Sequence, residues 1–170
     1  MNAKIFLVFI LLSCGCVQVN TAVEEEVSVV EVVDGDTLKV LRDSGRETVR
    51  LAGIDTPEVH GENKPYAFEG VPDSREGRDC LRKYGENASA FMKQYRGEKM
   101  VLEYEKGLMA DTRGSYGRLL GEVYIENNSI NEELVRRGLA RSYSEEGKFF
   151  DLEVEAKLDE NGVWKCQGVS

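Results

Sequence analysis

The chain has 170 residues, 41% of them hydrophobic and 31% charged, with a formal net charge of −9. That length and balance exclude fibrous and disordered classes and fit one globular domain with a full core. The acidic sign excludes adhesion to nucleic acid through a broad basic face, which leaves only local phosphate contacts open to it.

Lys4 precedes the unbroken apolar run Ile5 to Leu12, which ends in Ser13-Cys14-Gly15-Cys16. Residues 1–16 read as a secretory signal, too short to stay in a bilayer as a spanning helix. Two processings are open: an ordinary cleaved signal, or a lipobox Leu11-Leu12-Ser13-Cys14 in which Cys14 carries the lipid. Either exports the protein, as a secreted or lipid-anchored species at the cell envelope. Setting Lys4 aside with the leader brings the formal charge to −10. Residues 17–26 read as a polar tether ending in Glu24-Glu25-Glu26, residues 27–166 as the domain and 167–170 as a tail. Cys80 and Cys166 are the only cysteines beyond the leader. An oxidising compartment lets them pair, tying the segment before the first helix to the chain end; two buried free thiols are the other reading.

From Val27 the pattern becomes strand-like, with valines running to Asp34-Gly35 and Leu38 and Val40 alternating beyond it. Asp-Gly between two such runs predicts a hairpin. Asp43-Ser44-Gly45-Arg46 predicts a second turn before Thr48, Val49, Leu51 and Ile54, giving a three-stranded meander. Residues 59–83 carry Gly61, Pro65, Gly70, Pro72 and Gly77 with few aliphatics and read as one long irregular loop, a solvated insertion beside Glu58. A helix is expected over 84–96, where Ala88, Phe91, Met92 and Tyr95 share a face. Met100, Leu102 and Tyr104 then alternate as a strand, as do Leu120, Val123 and Ile125. A short helix is expected from an Asn131 cap to Arg137 with Gly138 as its stop, and a last one over 148–159, with Trp164 packing back on the body. Short strands with helices between and after them make an α+β fold, mainly β: a five-stranded barrel of the oligonucleotide-binding (OB-fold) class with three helices.

Asp36 and Asp55 fall at strand ends. On neighbouring strands their carboxylates converge on one hard cation, which calcium's preference for several oxygen ligands suits, with the Thr56 carbonyl and water completing the set. His60 is the only histidine, so a zinc site is not expected. Each acidic cluster also has a plain structural reading: Asp34-Gly35-Asp36 as a turn, and Asp55-Thr56-Pro57-Glu58 as a helix start.

The order of the motifs is more specific than either cluster. Val33-Asp34-Gly35-Asp36-Thr37-Leu38-Lys39-Val40, Val49-Arg50-Leu51-Ala52-Gly53-Ile54-Asp55-Thr56-Pro57-Glu58, Asp111 with Tyr116-Gly117-Arg118, and Asn131-Glu132-Glu133-Leu134-Val135-Arg136-Arg137-Gly138 resemble the staphylococcal nuclease family in order and spacing, from about Val27 to Trp164. The resemblance implies a calcium-dependent nuclease, a phosphodiesterase that hydrolyses DNA and RNA to products with 3′-phosphate ends and prefers single strands. It implies one calcium held by Asp36, Asp55 and the Thr56 carbonyl, catalysis by Arg50, Glu58 and Arg118, and nucleotide contacts from Tyr116 and Tyr143. Ser115 departs from the pattern, standing where a family lysine touches the terminal phosphate. The loop at 59–83 is longer than its family counterpart by about 15 residues; it could cover the cleft or add a ligand through His60 or Glu62. No protein partner is implied, and a monomer is expected. The competing readings are a noncatalytic OB-fold module that binds nucleic acid or protein, and a structural envelope lipoprotein. The complete set of acids and arginines favours the enzyme.

Overall fold

The computed structural model describes residues 21–106 and 112–169. The leader with Cys14, and Asp111, lie outside them. Strands β1 (Thr21–Asp34), β2 (Thr37–Arg42) and β3 (Gly45–Leu51) form the expected antiparallel meander. The two-residue strand β4 (Ile54–Asp55) continues from it. Strand β5 (Lys99–Lys106) pairs with β1, and β6 (Leu119–Ile125) pairs with β5. A parallel pairing of β3 with β6, Arg50 opposite Leu120, then closes the sheet into a five-stranded barrel. The short strand β7 (Asn128–Ser129) leads into helix α2 (Ile130–Arg136), and β8 (Arg141–Ser142) pairs with β4. With α1 (Arg75–Lys93) and α3 (Lys148–Leu158) this is the expected α+β, mainly β fold with three helices.

The alternation read in the sequence fills the barrel: Leu38 and Val40 from β2, Val49 and Leu51 from β3, and Met100 and Leu102 from β5 are all buried. Helix α2 seals one end with Ile130, Leu134 and Val135. A second, smaller core gathers Phe68, Val71, Leu81, Val163 and Trp164 around a disulfide joining Cys80 to Cys166, whose Cα atoms are 5.8 Å apart.

Four expectations about elements need correction. Residues 21–26 are no tether: they are the first half of β1, paired with β5 from Thr21 opposite Lys106 through Ser28 opposite Lys99. The acidic run hid the strand because Glu25 takes an inward place in the row Val23, Glu25, Val27. Its charge is met by Arg42, whose Nη2 and Nε donate at 2.7 and 3.0 Å and whose guanidinium lies 4.8 Å from the centre of the Tyr104 ring. The hydrogen bonds and charge of Arg42 hold the Glu25 carboxyl below the usual range, against a partial desolvation that acts the other way. That stabilisation is therefore present above the ordinary carboxylate pKa and is lost as the pH falls through the lowered folded-state value. Denaturant titrations of Glu25→Gln beside the parent are expected to differ by about 1 kcal/mol at neutral pH and to converge in acid. A gap that persists in acid would contradict this.

Helix α1 begins at Arg75, nine residues before the expected start, so Cys80 lies inside it rather than ahead of it. Ser74 caps it, accepting from the Gly77 amide at 3.1 Å. The buried face of this first half is Gly77, Leu81 and Gly85, and glycine carries no hydrophobic period to read. The remaining loop is not a solvated insertion, since Phe68 and Val71 anchor it in the small core. Helix α2 is capped by Ser129, which accepts from the Glu132 amide at 3.1 Å; Asn131 is instead fully buried and donates to the Ala52 carbonyl at 2.9 Å. The Asn131 side chain thus ties α2 to the segment leaving β3.

Candidate active site

The β1–β2 turn and the segment after β3 meet on α1. A Cβ on Gly35 would lie 2.7 Å from the Ala88 Cβ and 2.8 Å from the Thr56 Oγ1, and one on Gly85 would lie 2.5 Å from the Pro57 carbonyl oxygen. Gly35 therefore serves close packing between the two acidic clusters, beyond the turn geometry for which Asp-Gly is usually selected.

Asp36, only 4% exposed, has partners on both oxygens: Oδ2 accepts from the Thr56 amide and Oγ1, both at 2.9 Å, and Oδ1 accepts from Thr37 Oγ1 at 3.0 Å and pairs with Arg50. The same guanidinium donates to Asp55 Oδ1 at 2.7 Å. Cross-strand pairing of β4 with β8 sets Arg141 opposite Asp55, and its Nη2 donates to Asp55 Oδ2 at 3.0 Å. Arg118 enters from the start of β6, its Nη1 lying 3.5 Å from Thr37 Oγ1 and its Nε donating to the Ser115 carbonyl at 3.2 Å.

Glu58 lies at the open rim. Its backbone is clamped by the buried Asn63, which accepts from the Glu58 amide at 2.8 Å and donates to the Glu58 carbonyl at 2.9 Å. Partial desolvation, then the negative charges of Asp34 and Asp55, push the Glu58 carboxyl above its usual range, with Arg50 opposing. Asp34, which the sequence suggests is scaffolding, thus acts electrostatically on Glu58. The Tyr143 hydroxyl is 3.4 Å from Asp55 Oδ1. Tyr116, 97% exposed, sits on a left-handed backbone with φ of 64°, its ring centre 5.8 Å from the Arg118 guanidinium. Such a conformation costs a residue with a side chain about 1 kcal/mol.

The structure therefore brings together Asp36, Asp55, Thr56, Arg50, Glu58 and Arg118, with Tyr143 beside Asp55 and Tyr116 beside Arg118. Of the two loop residues considered as extra ligands, Glu62 lines a cavity with Asp55, Thr56 and Glu58 and His60 does not. Arg141 and Asn63 were not legible as site residues. Their signal exists only as partners of Asp55 and Glu58 across the fold. The donor set suits a hard, oxygen-preferring cation: two carboxylates gathered on one guanidinium, with a third at the rim on Glu58. Among the described residues no group of three or more His, Cys, Asp or Glu side chains forms a metal cage, so carbonyl oxygen and water would have to complete the shell.

The profile of the family described as "Staphylococcal nuclease homologue" matches residues 48–166, well over half of the chain. The chain belongs to the staphylococcal nuclease family. The family match spans Arg50, Asp55, Thr56, Glu58 and Arg118, and Asp36 lies ahead of it. Endonuclease YncB of Bacillus subtilis is 36% identical over 144 residues, covering 80% of this chain and 60% of that protein. The SPbeta prophage-derived endonuclease YokF of the same organism is 36% identical over 151 residues, 84% of this chain but 45% of its own length. The chain thus spans about half to three fifths of the length of these two relatives. A thermonuclease of Staphylococcus hyicus is 29% identical over 152 residues, covering 85% of this chain and 79% of the relative.

Proposed function

We propose that this family member is an exported, calcium-dependent phosphodiesterase that hydrolyses DNA and RNA, single strands preferentially, and leaves 3′-phosphate ends. The observation that carries the reading is the convergence of Asp36 and Asp55 on Arg50 at one end of the barrel, with Arg118 joined to Asp36 through Thr37.

Attack on a phosphodiester builds negative charge on its nonbridging oxygens. Arg50 and Arg118 clamp that group with planar, multidentate donors, which suit phosphate better than a point charge does. Glu58, held in place by Asn63, orients the attacking water and accepts its proton. Tyr116 and Tyr143 contact the nucleotide on either side of this group of charges. Asp36, Asp55 and the Thr56 carbonyl would hold calcium, which would supply further positive charge beside the phosphate. The Cys80–Cys166 disulfide supports export, because such bonds persist in oxidising compartments. The protein acts as a monomer, secreted or anchored through a lipid on Cys14, and mass spectrometry of the mature N-terminus distinguishes the two.

The test is incubation of the mature chain with single-stranded DNA in calcium or in chelator, beside Asp36→Ala and Arg118→Ala. Calcium-dependent cleavage that both variants lose by about 100-fold or more is expected. Absence of cleavage by the parent, or equal cleavage by the variants, sinks the proposal; equal support by magnesium removes calcium from it.

A further inference from the structure

Beyond Asp55 and Glu58 the cleft opens into a cavity of about 300 Å³ whose wall includes Lys64, Tyr66, Arg141 and Tyr143. Tyr66, Arg141 and Tyr143 also line a second cavity, of about 650 Å³, that extends to Lys157. The two together make a groove continuous with the candidate active site. Tyr66 is 79% exposed and Tyr143 60% exposed.

The exposure of Tyr66 is held by its surroundings. It sits in the one-turn 3₁₀ helix Pro65–Ala67, between Pro65, which is buried, and Phe68, which is 3% exposed in the small core against Trp164. The turn is closed by the Ala67 amide donating to the Lys64 carbonyl at 2.9 Å and the Phe68 amide to the Pro65 carbonyl at 2.8 Å. A turn anchored on both sides keeps the aromatic ring presented to water, so binding has only the side chain to order and not the backbone beneath it. Nearby, Arg141 lies 5.0 Å from the Tyr143 ring centre and 5.7 Å from that of Phe68 while pairing with Asp55. The groove is otherwise acidic, with Glu58 and Glu62 on the first cavity and Glu69, Glu145 and Glu153 on the second. Lys157 is taken up by Glu69 and Glu153, each at 2.8 Å, and Arg141 by Asp55, so these cations of the groove are already paired and the exposed ring of Tyr66 is what it offers to a flat, uncharged base.

We propose that Tyr66 forms an additional subsite, on the groove it shares with the nucleotide contact Tyr143, that stacks a further unpaired base of the substrate strand beyond the scissile phosphate. Bases in a duplex are already stacked and paired and cannot reach an isolated ring without being splayed out. The proposal rests on the nuclease reading above. Its test separates the two, because binding is read apart from cleavage.

Fluorescence anisotropy with a labelled single-stranded oligonucleotide of about 8 nucleotides, in chelator, is compared for the parent, Tyr66→Ala and Tyr66→Phe. Tyr66→Ala is expected to weaken binding by about 5- to 150-fold and Tyr66→Phe to retain it, since the ring and not the hydroxyl does the stacking. In calcium, the loss of kcat/KM in Tyr66→Ala is expected to appear in KM, to grow with length from a dinucleotide upward, and to be smaller on duplex of the same sequence. Equal oligonucleotide affinity in parent and Tyr66→Ala, or a loss in Tyr66→Ala that Tyr66→Phe shares, overturns the subsite. Weakened binding by Tyr66→Ala with no cleavage by the parent keeps the subsite and overturns the nuclease reading.

Discussion

Arg50→Gln is expected to lower kcat by about 100- to 1,000-fold and, in chelator, to destabilise the fold by about 3 kcal/mol. The two effects share one cause. Arg50 is the common counter-charge of Asp36 and Asp55, and Asp36 is almost fully buried. Glutamine keeps much of the stem and some donors but leaves two neighbouring carboxylates with less compensating charge, and a buried carboxylate that loses its partner is costly. In the proposed function the same guanidinium meets the charge developing on the phosphate, so its removal costs the transition state directly. In the proposed function a calcium ion and Arg50 would be alternative sources of positive charge for this pair. Thermal unfolding should therefore show calcium raising the stability of Arg50→Gln more than that of the parent, by the linkage of a ligand that binds only the folded chain. Equal calcium-induced shifts would remove the pair from the cation site. An Arg50→Lys variant separates the roles: it restores charge without the fork, so stability returns further than activity.

Breaking the Cys80–Cys166 bond, by reductant or by Cys166→Ser, is expected to destabilise the protein by about 4.6 kcal/mol in the loop-entropy account. The bond spans 86 residues and fastens α1 to the segment following α3. For a chain of this size that loss corresponds to a fall in Tm of roughly 9–18 °C. The first region to open should be the small core of Phe68, Val71 and Trp164, which carries the turn bearing Tyr66. Limited proteolysis under reducing conditions is expected to cut near residues 59–74 before the barrel unfolds, and the unfolding midpoint to drop in parallel. A midpoint indifferent to reductant would show that packing alone holds this core.

Much of the barrel was legible because its signals are local. Alternation places Leu38 and Val40, or Met100 and Leu102, on one side of a strand whatever the strand pairs with, and Asp43-Ser44-Gly45 turns a chain by its own backbone preferences. Where a local signal was weak or contrary, the reading failed. Glu25 on an inward row looked like part of a tether, because the compensating Arg42 lies seventeen residues on, across a hairpin. The first half of α1 looked like loop, because its inner face is built from glycines that admit a neighbouring backbone. Asn131 looked like a cap, although Ser129 takes that place and Asn131 bonds to a carbonyl 79 residues away.

The same division runs through the site. The sequence by itself determined which chemical groups are available, two carboxylates at strand ends, two arginines and a glutamate, and their order resembles one family. The tertiary structure alone decided how those groups are held. Arg50 spans Asp36 and Asp55, Arg141 closes on Asp55 from 86 residues away, Asn63 clamps Glu58, and partial burial followed by the charges of Asp34 and Asp55 raises its carboxyl. Residue type and strand position follow from short-range sterics and hydrophobic period, which one stretch of chain carries within itself. Charge pairing depends on distances between stretches, and those exist only once β3 has closed on β6 and β4 on β8.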